Sequence, residues 1–278
     1  MGEERTLSPP ISYHEPPPKQ IDFSKEAIMA DRLALIGGEE FSDDFEEIHA
    51  GLVAALGGKP RVVFLPTPAA NDGIETVEHW CSPTFSKTLG ASVNTPRVID
   101  HESADDPRHA QQVAEADWVY LGGGYAHVAL PILRGTKVME ALLSTRARGA
   151  LISGASAGAM MMGTQAIVIT PELLEGVGRY WESSAPPDWD PPLPPLIQGL
   201  DWLAGKIIAP HFDRPWFSRK WLARDFLPDG STLISIDERT TLAQVTNGNW
   251  QVFGFGSVTI HKRGSEIARY STGDTFSL

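Results

Sequence analysis

Cysteine, basic side chains and long apolar segments are all scarce in this sequence. The single cysteine, Cys81, excludes a disulfide within the chain and fits a reducing compartment. Acidic residues outnumber basic ones, and the formal net charge of −12 leaves no basic surface for a nucleic-acid backbone or an anionic bilayer. No apolar run is long enough to cross a membrane, and the first residues lack the features of a secretory signal. We therefore expect a cytoplasmic protein without nucleic-acid or membrane partners.

The composition changes along the chain in a way that predicts one domain behind a tail. Hydrophobic residues make up 42% of the 278 positions, enough to bury a sizeable core. Residues 1–28 are rich in proline and charge, which predicts an extended tail, and residues 29–278 are expected to form one domain. A second proline-rich stretch, residues 185–195, is predicted to be either a passive connection or a lid.

Short apolar runs alternate with stretches long enough for helices. Four such runs are found at 33–36, 62–65, 118–121 and 150–152. This alternation predicts an α/β fold, a three-layer sandwich with a mostly parallel central sheet covered on both faces. A further run at 206–210 precedes a predicted helix at 216–226. Near the C-terminus the pattern is that of antiparallel strands, at 231–236, 240–245, 250–254 and 257–261.

A strand-to-helix turn carries the strongest chemical signal. Residues 154–158 read Gly-Ala-Ser-Ala-Gly, which matches G-x-S-x-G, and they lie between a predicted strand and a helix-compatible segment. A serine on such a sharp turn is pushed out of the sheet, and the following helix N-terminus favours negative charge nearby. Ser156 is therefore a candidate nucleophile, and an ordinary strand-to-helix turn is the alternative.

Three glycines, Gly122, Gly123 and Gly124, follow the preceding predicted strand. Because glycine lets the backbone approach a ligand closely, an amide here and that of Ala157 are predicted to form an oxyanion hole. A phosphate-binding turn is the rival interpretation, but the segment lacks G-x-G-x-x-G and the chain has no G-x-x-x-x-G-K.

A serine hydroxyl needs a base, which is usually a histidine held by a carboxylate. Among the eight histidines, His211 stands out because it follows the run 206–210 at the predicted carboxyl end of a strand, where parallel sheets place their sites. His127, near the glycine turn, is a minor candidate. Asp237 and Glu238 follow another predicted strand, which gives the chain order serine, histidine, acid.

Two rival arrangements use the same part of the sequence. Asp201, which lies between the serine and the histidine, would be the acid in the order serine, acid, histidine. A metal hydrolase is the other alternative, but no H-E-x-x-H or Cys/His cluster supports it. Its ligands would be His211, Asp213, Asp237 and Glu238. We expect no metal or other cofactor.

Taken together, the motifs resemble peptidase family S51, which includes cyanophycinase and dipeptidase E, on the class I glutamine amidotransferase-like fold. The resemblance spans roughly residues 31 to 261 and rests on five blocks, at 36–39, 121–124, 154–159, 211–212 and 236–240. It implies that Ser156 is the nucleophile, His211 the general base and Glu238 the acid. It also implies hydrolysis of aspartyl peptides or β-aspartyl-arginine linkages without a metal.

Two features depart from the family pattern. Tyr125 stands where the family usually has Asn or Gln after the glycine turn, which changes the size of the expected pocket. The arginines after the histidine are not at the spacing found in cyanophycinases. The predicted substrate-binding residues are Tyr125, Asp213, Arg214 and Arg219. Surface charge is the plain alternative for the two arginines.

The sequence thus predicts a serine peptidase of the exopeptidase or dipeptidase type. It would act on a small peptide or isopeptide through an acyl-enzyme, with the oxyanion held by amides of Gly123, Gly124 and Ala157. A non-catalytic binding or sensing protein on the same fold is the alternative, motivated by Tyr125 and the altered arginine segment. The expected partner is a small peptide, and a homodimer is left open.

Overall fold

The structure, a computed structural model, describes most of the chain that follows the predicted tail. The described residues are 32–42, 45–71, 75, 91–171, 173, 193–214, 226–245, 248–263 and 265–278. The tail, residues 185–192 of the proline-rich stretch and the predicted helix up to residue 225 lie outside these ranges.

Strands outnumber helices in the described ranges. The strands are β1 (Leu33–Ile36), β2 (Arg61–Leu65), β3 (Ser92–Asn94), β4 (Trp118–Leu121), β5 (Leu151–Ala155), β6 (Gly163–Ile167), β7 (Leu196–Gln198), β8 (Leu203–Ala209), β9 (Thr232–Ile236), β10 (Thr240–Gln244), β11 (Trp250–Gly254), β12 (Ser257–Lys262), β13 (Ser265–Ser271) and β14 (Thr275–Phe276). The α-helices are α1 (Glu46–Ala55), α2 (His101–Ala104), α3 (Pro107–Glu115), α4 (Ala126–Leu133), α5 (Lys137–Ala147) and α6 (Ala157–Met161), and a 3₁₀ turn covers Thr67–Ala69. Over these ranges, no helix has the length and apolar character needed to cross a membrane.

The larger of two sheets has eight strands in the order β14-β11-β10-β1-β5-β4-β2-β3. The five strands from β1 to β3 in that order are parallel, whereas β10, β11 and β14 pair antiparallel and extend the other side. The structure therefore confirms the predicted α/β fold, with its mostly parallel sheet and its antiparallel strands near the C-terminus.

A second sheet of six strands has the order β13-β12-β9-β8-β6-β7. Its centre is parallel, since β8 pairs in parallel with both β6 and β9, while β12 pairs antiparallel with β9. The apolar runs at 206–210 and 231–236 predict strands but do not predict that these strands form a second sheet. Apolar alternation reports that a segment is a strand and does not report which strands pair with it.

The parallel sheet is covered on both faces, because alternate residues of a strand point to opposite sides. Leu33 and Leu35 of β1 belong to a buried cluster that includes side chains of α4, α5 and the second sheet. Ala34 and Ile36 belong to a separate cluster with side chains of α1. Strand β1 is buried along its whole length and therefore lies at the centre of the layered structure.

Several helices begin at side chains that accept hydrogen bonds from the first turn. The Asp100 carboxylate accepts from Ser103 N at 2.8 Å at the start of α2, and the Asp106 carboxylate accepts from Arg108 N at 2.8 Å at the start of α3. Such caps satisfy backbone donors that have no partner inside the helix. They fix where the helices start against the sheet.

Adjacent leucines on α5 provide a test of this packing. Leu142 is fully buried and Leu143 is 46% exposed. We expect Leu142→Ala to lower the free energy of unfolding by about 2–5 kcal/mol, because it leaves a cavity in the core. Leu143→Ala should change it by no more than about 0.5 kcal/mol. Denaturant titration followed by circular dichroism measures both, and equal losses would contradict the described orientation of α5.

Candidate active site

Ser156 occupies a strained turn between β5 and α6. Its φ is 50° and its ψ is −114°, a backbone conformation that residues with a side chain rarely adopt. Glycines permit the turn: a Cβ on Gly154 would lie 2.4 Å from the carbonyl carbon of Gly158, and one on Gly158 would lie 2.2 Å from the carbonyl oxygen of Leu121. The small residues of the G-x-S-x-G motif are therefore required by close backbone packing.

Three side chains that are distant in sequence form a chain of hydrogen bonds. The Nε2 atom of His211 lies 2.9 Å from Oγ of Ser156, and its Nδ1 atom lies 2.8 Å from Oε1 of Glu238. Glu238 is buried, whereas His211 is partly exposed. In this geometry the neutral imidazole can accept the hydroxyl proton at Nε2 while it donates its Nδ1–H to the carboxylate.

Both sheets contribute to this arrangement. Ser156 follows β5 of the larger sheet, while His211 and Glu238 follow β8 and β9, which are neighbouring parallel strands of the second sheet. Because the carboxyl ends of parallel strands meet at one edge, the histidine and the acid are brought side by side. The site therefore forms where the carboxyl ends of these interior strands of the two sheets meet.

The turn after β1 joins the two halves of the site. Three successive carbonyl groups of this turn accept hydrogen bonds from backbone N–H groups of three residues at the site. The pairs are Ile36 with Ser156 at 3.0 Å, Gly37 with His211 at 2.8 Å and Gly38 with Arg239 at 3.0 Å. The donors have φ angles of 50°, 55° and 53°. Such conformations cost about 1–3 kcal/mol each, and the surrounding hydrogen bonds hold them in place.

The β1 turn also needs glycine for steric reasons. Gly38 has a φ of 124°, and a Cβ at this position would lie 2.1 Å from Cε1 of His211. A Cβ on Gly37 would lie 1.9 Å from the carbonyl oxygen of Asp237. The imidazole therefore packs directly on the backbone of the turn, which limits the orientations that the ring can take.

The carboxylate of Glu238 is held on both oxygens. Oε1 faces His211, and Oε2 accepts a hydrogen bond from Nε of Arg214 at 2.5 Å, with Nη2 of Arg214 also in contact. Asp213 accepts a hydrogen bond from the backbone N–H of Glu238 at 2.8 Å. Burial raises the pKa of Glu238, but the hydrogen bonds from His211 and Arg214 outweigh it and hold this pKa below its ordinary value. Glu238 is therefore an ionised partner for the imidazole.

The glycine turn after β4 lies beside Ser156. A Cβ on Gly123 would lie 3.6 Å from Cβ of Ser156, so the two backbones face each other. Gly124 has a φ of 129°, and a Cβ there would lie 2.3 Å from the carbonyl oxygen of Pro68. Within the described ranges, no backbone acceptor outside the helices and strands pairs with the N–H groups of Gly123, Gly124 and Ala157. These groups stay the predicted donors to an oxyanion.

The remaining predicted residues take other positions. Tyr125 precedes α4 and is half-buried, with its ring centroid 5.5 Å from that of His127. Asp201 is exposed, and its carboxylate accepts a hydrogen bond from the hydroxyl of Thr164. Arg219 lies outside the described residues. The part of the chain that is described contains no group of His, Cys, Asp and Glu arranged to hold a metal ion.

One acidic residue at the site, Glu40, is not among the residues predicted from the sequence. Glu40 lies just after the β1 turn, is 7% exposed, and its Oε1 atom would lie 3.8 Å from a Cβ on Gly123. A usable signal was its place two residues after Gly38, because the turn that follows a central parallel strand borders the site. Glu40 therefore belongs to the wall of the site, beside Ser156.

Comparison with known proteins decides the family. The model of peptidase family S51 matches residues 33–248, a span that contains Ser156, His211 and Glu238. The chain belongs to peptidase family S51. This confirms the resemblance seen in the motifs, and membership of the family supports a peptidase function.

Two solved structures share the fold. A peptidase from an acI-B1 Actinobacterium is 25% identical with a TM-score of 0.72, covering 90% of this chain and 98% of that chain. A putative peptidase E protein from Listeria monocytogenes EGD-e is 16% identical with a TM-score of 0.55, covering 82% of this chain and 100% of that chain. The second likeness concerns the fold alone. The search of curated protein sequences found no match.

The contact between Arg214 and Glu238 can be tested by removing the guanidinium. We expect Arg214→Gln to lower kcat/KM roughly tenfold to hundredfold, because the buried carboxylate loses a charge-assisted hydrogen bond. The pKa of Glu238 should rise without Arg214, so the loss should be larger at acidic than at alkaline pH.

The matched control is Arg263→Gln, because Arg263 forms an ion pair with the exposed Asp229 at the surface. Peptide hydrolysis measured between acidic and alkaline pH compares the two variants. A similar, pH-independent effect of both substitutions would show that Arg214 does not support the site through Glu238.

Proposed function

We propose that this S51 peptidase is a serine-type enzyme that cleaves a small peptide or isopeptide through an acyl-enzyme. The observation that carries the proposal is the continuous chain from Ser156 Oγ through His211 to Glu238, with contacts of 2.9 and 2.8 Å. This is the geometry that a nucleophile, a base and an orienting acid require.

In the first step Ser156 Oγ attacks the carbonyl carbon of the scissile bond. Its proton passes to Nε2 of His211, and the electron pair of the carbonyl moves to the oxygen, which becomes an oxyanion. The backbone N–H groups of Gly123, Gly124 and Ala157 are the proposed donors to this oxygen, and Gly123 lies beside Ser156.

In the second step the tetrahedral intermediate collapses. The bond to the leaving nitrogen breaks, and that nitrogen takes the proton from Nε2 of His211, which leaves an ester between Ser156 and the acyl group. A water molecule then attacks the ester by the same route, giving its proton to His211. Collapse of the second intermediate returns the proton to Ser156 and releases the acid product.

Glu238 orients the imidazole of His211 and offsets the positive charge that the ring gains. The contact with Nδ1 selects the tautomer whose Nε2 is free to accept a proton, and the ionised carboxylate stabilises the imidazolium that forms. Burial of Glu238 strengthens both effects because little water screens the charges. Arg214 donates a hydrogen bond to the carboxylate of Glu238, and Asp213 accepts one from its backbone N–H. We therefore assign both residues a supporting role at the triad.

The exopeptidase action and the small substrate rest on the family rather than on the geometry. The S51 resemblance favours an aspartyl dipeptide or a β-aspartyl-arginine linkage, and Tyr125 beside the glycine turn would form one side of the pocket. We place this activity in the cytoplasm, as the single cysteine favours. A non-catalytic binding protein remains the alternative that the next experiment decides.

An activated serine should react with a broad fluorophosphonate. We expect intact mass spectrometry to show one adduct on the wild type and none on Ser156→Ala, and this variant should lose peptide hydrolysis by a factor on the order of 10⁴ or more. Ser277→Ala, which removes an exposed serine, serves as the control and should be labelled like the wild type. Absence of labelling in a folded wild-type sample would favour the binding protein.

The identity of the acid can be tested with two amide substitutions. Glu238→Gln should lower kcat on the order of 10³-fold or more, because the amide no longer stabilises the imidazolium. Asp201→Asn should change kcat only a few-fold, since its carboxylate bonds to Thr164. Melting temperatures show whether both variants fold, and the opposite ranking would assign the acid to Asp201.

A further inference from the structure

Glu40 is a buried acid that the proposed reaction does not use. It is 7% exposed and lies in the turn after β1, where Gly37 and Gly38 contact the histidine and the segment around Glu238. Within the described part of the chain, its carboxyl accepts a hydrogen bond from its own backbone N–H, and no side chain donates to it. A buried carboxyl that is held by one backbone N–H is still costly to desolvate, so a ligand with a complementary group would be stabilised there.

The Glu40 carboxyl lies close to Ser156 and Gly123. Its Oε1 atom and Cβ of Ser156 are both within 4 Å of the same point, the place that a Cβ on Gly123 would occupy. A substrate carbonyl bound between Ser156 and the amide of Gly123 would therefore bring its neighbouring atoms close to Glu40. One of those neighbours is the first carbon of the acyl portion, which stays bound to Ser156 after the leaving nitrogen has departed.

The charges around Glu40 define what the carboxyl can bind. Burial raises the pKa of Glu40, His211 acts in the opposite direction, and the nearby negative charges of Glu39 and Glu238 raise it further. A cationic group placed against the carboxyl would offset both the burial and this repulsion. A second anion would add to the repulsion.

Three basic side chains of the described site have other contacts, and one of them, His211, is bound to Ser156 and Glu238. Arg214 is bound to Glu238, and the guanidinium of Arg239 lies over the ring of Phe255 at 5.5 Å. The positive charge that would complement Glu40 is therefore more readily supplied by the substrate than by these side chains.

We propose that Glu40 binds a positively charged amino group carried by the acyl portion of the substrate, next to the scissile carbonyl. The inference rests on the proposed attack by Ser156, because that attack fixes where the carbonyl lies. It makes Glu40 a specificity-determining residue, and it gives preference to peptides whose N-terminal amine is free and adjacent to the cleaved bond.

Matched substrates test this proposal. We would measure alanine release from aspartyl-alanine, alanyl-alanine and leucyl-alanine, each with a free or an acetylated amine, because acetylation removes the charge and leaves the scissile bond intact. The expected result is a preference of the wild type for the free amine of roughly tenfold to hundredfold in kcat/KM. Glu40→Gln, which removes the charge and retains the shape, should reduce this ratio about tenfold or more.

Two further variants separate specificity from folding. Glu39→Gln removes a neighbouring exposed carboxylate and should retain the wild-type ratio. Glu40→Asp keeps the charge on a shorter side chain and should retain part of the preference. Circular dichroism and fluorophosphonate labelling of Ser156 verify that each variant is folded.

The outcomes distinguish the two proposals. If Glu40→Gln slows the free and acetylated substrates equally, or if the wild type shows no preference, the role of Glu40 is overturned and the serine mechanism stands. If Ser156 is labelled but the wild type cleaves no dipeptide with a free amine, the role of Glu40 is likewise overturned. If Ser156 is not labelled at all, the proposed function itself fails.

Discussion

The backbone turn after β1 is the constraint on which the rest of the site depends. Its three successive carbonyls accept hydrogen bonds from the N–H groups of Ser156, His211 and Arg239, so one segment sets the spacing between Ser156, His211 and the turn that carries Glu238. The segment is anchored because β1 is buried along its length and pairs with strands on both sides. Positive φ angles at the three donors are tolerated since this framework holds them.

The use of two sheets explains how three short turns can meet. Strand β5 brings Ser156 from one sheet, and the neighbouring parallel strands β8 and β9 bring His211 and Glu238 from the other. Glycine is needed where these turns touch, because a single Cβ on Gly38 would overlap the imidazole. The precision of the site therefore comes from backbone contacts, which vary less than side-chain rotamers.

The two buried acids of the site have opposite electrostatic situations. Glu238 is held by His211 and Arg214, and these contacts keep its pKa low in spite of burial. Burial raises the pKa of Glu40, and the carboxyl accepts a hydrogen bond from its own backbone N–H. One acid is therefore complete within the protein, whereas the other gains from a cationic partner, which is the physical basis of the proposed substrate preference.

Features that are encoded in short segments of the sequence could be predicted. They include the turn at 154–158, the strand ends that precede His211 and Glu238, and the family. Each of these depends on short runs of residues. Three other features could not be predicted from the sequence. They are the second sheet, the contact of Arg214 with Glu238, and the burial of Glu40 beside Gly123. They join segments that are far apart in the chain, and no local pattern reports which of them will pack together. The contact of Glu238 with His211 and the place of Glu40 beside Gly123 therefore exist only in the folded chain.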